Sequence, residues 1–178
     1  MRRPGIVRRS GLAGALVGAV LTGAVLLSPA SASQPGCPEK RADGPEAAER
    51  LEAAAGRDAG WERAAARLVR FAEERPLCDP ARREALRLAA RYYGFAGDYE
   101  RASEVAFRAA EQGRLTGHLS EAAEAFISAG TFALETGNLA RAARAARQAT
   151  LLAESPLLTA AQRIAIRGRA GTLLESAG

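Results

Sequence analysis

The chain is poor in the residues that most often carry chemistry. It has one histidine, two cysteines, one methionine and one tryptophan in 178 residues, and aromatic residues make up 5%. The lone His118 with Cys37 and Cys78 does not supply a metal-ligand set. A nucleophile needs a neighbouring base and an oxyanion site, and nothing around Ser120 or Ser128 provides either. Gly94-Phe95-Ala96-Gly97 lacks the lysine and the strand of a phosphate loop. These absences predict a protein with no catalytic residues, metal, cofactor or small-molecule substrate. Runs of alternating β-branched residues are also missing, which argues against strands. What remains is rich in alanine, arginine and glutamate, with Lys40 the only lysine, and this composition favours helix.

Arg2, Arg3, Arg8 and Arg9 open the chain with no acid among them, and Gly11 to Leu27 follows without a charge. Ser28-Pro29-Ala30-Ser31-Ala32-Ser33 then offers small residues at Ala30 and Ala32. A basic start, an apolar core and a small-x-small site form the secretory leader pattern. Residues 1–32 are therefore predicted to be a signal peptide cleaved after Ala32, and the protein to be exported, periplasmic or secreted. Four glycines in the apolar stretch, and its shortness against the ~20 residues of a spanning helix, weigh against a retained anchor.

Loss of the four leader arginines lowers the formal charge from +5 to +1. The high isoelectric point is thus no sign of nucleic-acid binding. The remaining 146 residues suffice for one domain with a core. In an exported chain the pair Cys37 and Cys78 invites a disulfide, with two free thiols as the alternative.

Ser33 to Gly44 is polar, with Pro35 and Pro38, and reads as a flexible arm before a domain spanning 45–178. Helical stretches alternate with short breaks beyond it. Helices are predicted over Pro45 to Ala55, Trp61 to Arg75, Pro80 to Gly94, Tyr99 to Gln112, Ser120 to Glu135, Leu139 to Ala153, and from Ser155-Pro156 to Ser176. Gly113 to Leu119 is predicted to be a loop. Gly97-Asp98-Tyr99-Glu100-Arg101-Ala102 recurs forty residues later as Gly137-Asn138-Leu139-Ala140-Arg141-Ala142. At this offset Leu86 meets Phe126, Ala90 meets Gly130, Ala102 meets Ala142 and Ala109 meets Ala149. Small residues let helix axes approach and large neighbours fill the wedge, so Ala102 and Ala142 are expected at buried helix contacts. One helix pair cannot bury its faces alone, so pairs stack.

Leu86, Ala90, Tyr93, the Gly97-Asp98-Tyr99 turn, Ala102 and Ala109 resemble a tetratricopeptide repeat. Phe126, Gly130, Gly137-Asn138-Leu139, Ala142, Ala149 and Pro156 resemble a second. Two departures stand out: the spacing exceeds the family's ~34 residues, and Ala106 and Ala146 occupy positions where a larger residue is usual. The excess length fits the predicted Gly113 to Leu119 loop. The resemblance implies an all-α fold, a right-handed superhelix of about three antiparallel helix pairs plus a C-terminal capping helix. It also implies a concave surface lined by the first helix of each pair.

On that surface Glu84, Arg87, Arg91 and Phe95 share one helical stripe, and Glu124, Ile127, Thr131 and Glu135 form the equivalent stripe of the next pair. Glu84, Arg87, Arg91, Phe95, Ile127 and Thr131 are the predicted partner-binding residues, with the arginines suited to a carboxylate or an acidic peptide. The competing reading pairs Glu84 with Arg87 or Arg91 on a solvated face. From Leu139 to Gly178 six arginines face two glutamates, with no aromatic residue interleaved among the arginines, which argues against a single-strand nucleic-acid groove. The function expected is a noncatalytic module binding a protein or peptide. The alternative is a structural or self-associating component of an envelope assembly, a homo-oligomer included.

Overall fold

Three glycines spaced twenty residues apart, Gly97, Gly117 and Gly137, adopt φ of 78°, 79° and 70°. A residue with a β-carbon is strained there, which is why glycine ends these helices. The backbone closes each turn in the same way. Asp98 N donates to Tyr93 O (2.9 Å), His118 N to Gly113 O (2.8 Å) and Asn138 N to Ala133 O (2.8 Å). These are the long bonds of a Schellman cap. Asp98 and Asn138 then start the next helix, their side chains accepting from Arg101 N and Arg141 N.

A computed structural model describes Arg50, Leu51, Ala53, Ala55 and residues 60–178. Their fold is all-α, with helical repeat-like hairpins and no strand among the described residues. From Trp61 onward the helices are α1 (Trp61–Glu73), α2 (Pro80–Phe95), α3 (Tyr99–Leu115), α4 (Leu119–Glu135), α5 (Leu139–Leu152) and α6 (Ala160–Ser176). The leader, the cleavage site, the arm and Cys37 lie outside the described residues. Cys78, in the turn between α1 and α2, is not a free thiol.

The predicted Gly113 to Leu119 loop is for the most part helix. α3 runs to Leu115 and α4 starts at Leu119, leaving a three-residue turn. Gly113 lies inside α3, where an added Cβ would stand 3.1 Å from Ala122 Cβ, so its smallness serves close packing with α4. The forty-residue spacing therefore sits in long helices and not in a loop. The last helix begins later than Ser155-Pro156. Thr159 and Gln162 form a capping box that starts α6 at Ala160. The segment before it is held by Leu158, which is 6% exposed.

Each helix packs against the next, and α6 also packs on α4. The core is largely alanine: Ala85, Ala89, Ala102, Ala109, Ala129, Ala142, Ala146 and Ala149 are at or below 1% exposure. Ala102 and Ala142 thus occupy the buried contacts expected of them. Ala106 and Ala146 are buried as well, which brings axes close where a larger residue would hold them apart. Bulk comes from fully buried Leu68, Leu86, Phe126 and Ile166, with Phe107 meeting Phe126 edge to face at 4.9 Å between centroids.

Ion pairs tie alternate helices together. Glu62 of α1 meets Arg101 of α3 at 2.6 Å, and Glu100 of α3 meets Arg141 of α5 at 2.7 Å. On the other set, Arg83 of α2 meets Glu121 of α4 at 2.8 Å, and Glu124 of α4 meets Arg169 of α6. The Glu62 hydrogen bond raises the Arg101 guanidinium pKa above its ordinary value, and the charge of Asp98 adds to this. The pairs are mostly solvated, so they define register between repeats more than they add stability.

Candidate functional site

Asp79 caps α2 by accepting from Ala81 N at 2.8 Å, and Pro80 supplies its first residue. This start sets Glu84, Arg87 and Arg91 on an exposed flank of α2. Arg87 donates to Glu84 at 2.9 Å, with the two side chains 46% and 53% exposed. Arg91 makes no ion pair among the described residues. Arg87 and Arg91 border a groove of about 200 Å³. Its floor is Ala90, Ala106 and Ala109, and its far wall is Glu124, Ser128 and Phe132 of α4. Glu124 is engaged by Arg169, and the Ser128 hydroxyl donates to Glu124 O.

The remaining predicted site residues do not join this groove. Ile127 is 6% exposed and belongs to the core. With Thr131 it lines a separate hollow against Arg169, Leu173 and Ser176 of α6. The Thr131 hydroxyl donates to Ile127 O at 3.0 Å. Phe95 is 59% exposed and packs edge to face on Trp61, 5.3 Å between centroids, with Tyr92 also against Trp61. The reason for the separation is the repeat itself. Arg87 and Ile127 are equivalent positions, as are Arg91 and Thr131, and equivalent positions face successive grooves. The α2 pair looks onto α4 and the α4 pair looks onto α6. Residues that share a groove with Arg87 and Arg91 are instead Glu124 and Ser128, offset along α4.

A larger hollow, about 410 Å³, opens on the other side of α3, between α3, α5 and the turn before α2. The sequence reading did not find it. Its signal was Gln112, a polar residue set between the buried Ala109-Ala110 and Gly113, with apolar Leu77 and Leu115 near in the fold but distant in the chain. The arginines of α5 and α6 are largely engaged. Arg141 meets Glu100, Arg147 donates to Ala143 O, Arg163 to Leu158 O, and Arg169 meets Glu124. Arg144 instead lies over the Phe107 ring, 5.1 Å from its centroid.

Among the described residues no three His, Cys, Asp or Glu side chains gather as a metal site. His118 stands at the start of α4 with its Nδ1 3.1 Å from Thr116 Oγ1. No helix of the described residues is long and apolar enough to cross a membrane. No protein-family model, no curated protein and no solved structure matches the chain.

Proposed function

We propose that the chain is an exported, noncatalytic helical-repeat module of the tetratricopeptide kind, wound as a right-handed superhelix, that binds a protein or peptide partner. The observation that carries this reading is the alanine-floored groove between α2 and α4. There Arg91 stands without an ion pair among the described residues and faces a wall that includes Phe132. An acidic side chain or a carboxylate would complete Arg91, and an apolar side chain would cover Phe132. The reading is tested by crosslinking and recovering partners with the full-length chain and with an Arg87→Ala, Arg91→Ala double variant shown by circular dichroism to fold. Loss of a charge-assisted bond worth ~1.5–3 kcal/mol lowers affinity about ten- to a hundredfold. Unchanged recovery rejects this groove.

One observation favours a structural role. Leu151, Leu157 and Ile164 are 59%, 80% and 72% exposed at the α5–α6 end of the stack. A self-associating protein would bury them against a second copy. Light scattering on the size-fractionated chain decides this, a monomer counting against it. Export is supported by the leader pattern, and N-terminal sequencing of the exported form should begin at Ser33. A Cys37–Cys78 disulfide is part of this reading because an exported chain with one pair of cysteines tends to join them. Nonreducing peptide mapping should recover the two linked peptides.

A further inference from the structure

We propose that the hollow beside α3 is a second peptide site. It would take an apolar side chain from a segment that carries one acidic residue next to it. This rests on the reading above that the chain binds peptides, and it names a different surface and a sequence class for the ligand.

The volume of about 410 Å³ lies in the range of ligand pockets. Leu86 and Phe107 form its inner part, with Leu86 1% exposed. Leu77 and Leu115 flank it and remain 41% and 50% exposed. Four large apolar side chains thus converge on a space that the described residues leave open.

One buried polar atom on each of two lining residues lacks a partner among the described residues. Gln112 is 3% exposed, and its Nε2 donates to Leu77 O at 2.7 Å, which fixes which end of the amide is oxygen. Its Oε1 is buried and accepts from nothing among the described residues. Arg82 donates from one terminal nitrogen to Arg75 O at 2.7 Å, yet its Nε is buried without an acceptor. Buried polar groups are nearly always satisfied, so an orphan acceptor and an orphan donor on one hollow ask for a ligand with both complements. A peptide unit has them, its N–H for Gln112 and its C=O for Arg82. Both atoms are closed to solvent, so a ligand reaches them only where the Gln112 and Arg82 side chains turn toward the hollow.

The charges select the flanking residue. Arg108 is held by Glu73, Arg141 by Glu100, and Glu111 by Arg114. Arg144 and Glu104 are the lining charges on α5 and α3 that make no ion pair among the described residues. Arg144 rests over Phe107, so an acid beside an inserted apolar residue reaches it. Glu104 opposes a second acid, which favours a single acidic residue over an acidic run.

The test is selection of a displayed random dodecapeptide library on the full-length chain. Enriched peptides are then rebound to Leu115→Glu, to Arg144→Glu and to the Arg87→Ala, Arg91→Ala double variant. Leu115 and Arg144 are exposed, so both single variants should fold. The expected result is enrichment of Leu, Ile, Phe or Met beside one Asp or Glu. Binding should be weakened about tenfold or more by either single variant and left within about twofold by the double variant. N-methylation of the peptide nitrogen at the apolar residue should weaken binding as much, by removing the donor for Gln112. Peptides without the apolar–acidic pair, or indifferent to both single variants, would overturn the site. If N-methylation at every position left binding unchanged, recognition of a peptide unit would be rejected. Peptides lost only with Arg87→Ala, Arg91→Ala would overturn this site and keep the groove between α2 and α4. An absence of any enriched peptide would count against both.

Discussion

Ser103 of α3 donates its hydroxyl hydrogen to the carbonyl oxygen of Ala129 on α4 at 2.8 Å, and both residues are fully buried. This bond joins the second helix of one hairpin to the first helix of the next. It sits in a stretch where alanines otherwise make the contact. Replacing Ser103 by Ala removes the bond with little change of volume. The carbonyl remains available to the helix ladder, so the loss should be near the ordinary net value of ~0.5–1.5 kcal/mol. Urea melts of Ser103→Ala check it, and wild-type stability would mean that the bond is compensated.

Two kinds of helical glycine should respond with opposite sign. An added Cβ at Gly130 runs into Leu173 and comes within 3.3 Å of Ala142 O and Ala145 Cβ. Gly130→Ala should destabilise by ~1–3 kcal/mol, with part of the loss recovered in a Leu173→Ala background. Gly168 and Gly171 of α6 have open space at the same point. There Gly→Ala should stabilise by ~0.5–1 kcal/mol through helix propensity. Thermal melts of Gly130→Ala, Gly168→Ala, Gly171→Ala, Leu173→Ala and the Gly130→Ala, Leu173→Ala double variant give the comparison.

Overpacking tests the hairpin contacts themselves. Ala102 and Ala142 have no exposed surface, so Leu at either position must displace a facing helix. Each substitution should cost ~1–3 kcal/mol. Melting like the wild type would show that these faces do not meet.

Alkaline pH should expose the buried phenol. Tyr93 is 6% exposed, and burial raises its pKa above the ordinary value of 10.0, against an opposing pull from the Arg101 charge. A raised folded-state pKa means that the native state holds the proton more tightly than the unfolded chain does. That contribution is complete below the unfolded value and fades as pH rises through the folded one. Urea midpoints of the wild type should therefore fall, relative to Tyr93→Phe, as pH rises above the ordinary value of 10.0, with no relative change at neutral pH. Parallel curves throughout would refute the assignment.

Helix class, most helix starts and the small-residue contacts were legible in the chain because each depends on neighbours within a turn or two. Asp79-Pro80 begins a helix wherever it stands, and Gly97-Asp98 and Gly137-Asn138 close one turn and cap the next by local bonds alone. The forty-residue echo further identified Ala102 and Ala142 as contacts. Gly113 was misread because a glycine reads locally as a break, while its effect here is on Ala122 across the hairpin. Thr159–Gln162, not Ser155-Pro156, starts α6, since a serine-proline turn and a helix start share the same residues. Which side chains share a groove was beyond local reading. Arg87 and Ile127 are alike in the repeat and face different hollows, because a stacked repeat turns each equivalent position toward its own next neighbour. Gln112 and Arg82, thirty residues apart in sequence, end beside one hollow with an acceptor and a donor unmet. Only the packing of α3 against the turn before α2, and of α5 beside them, decides that.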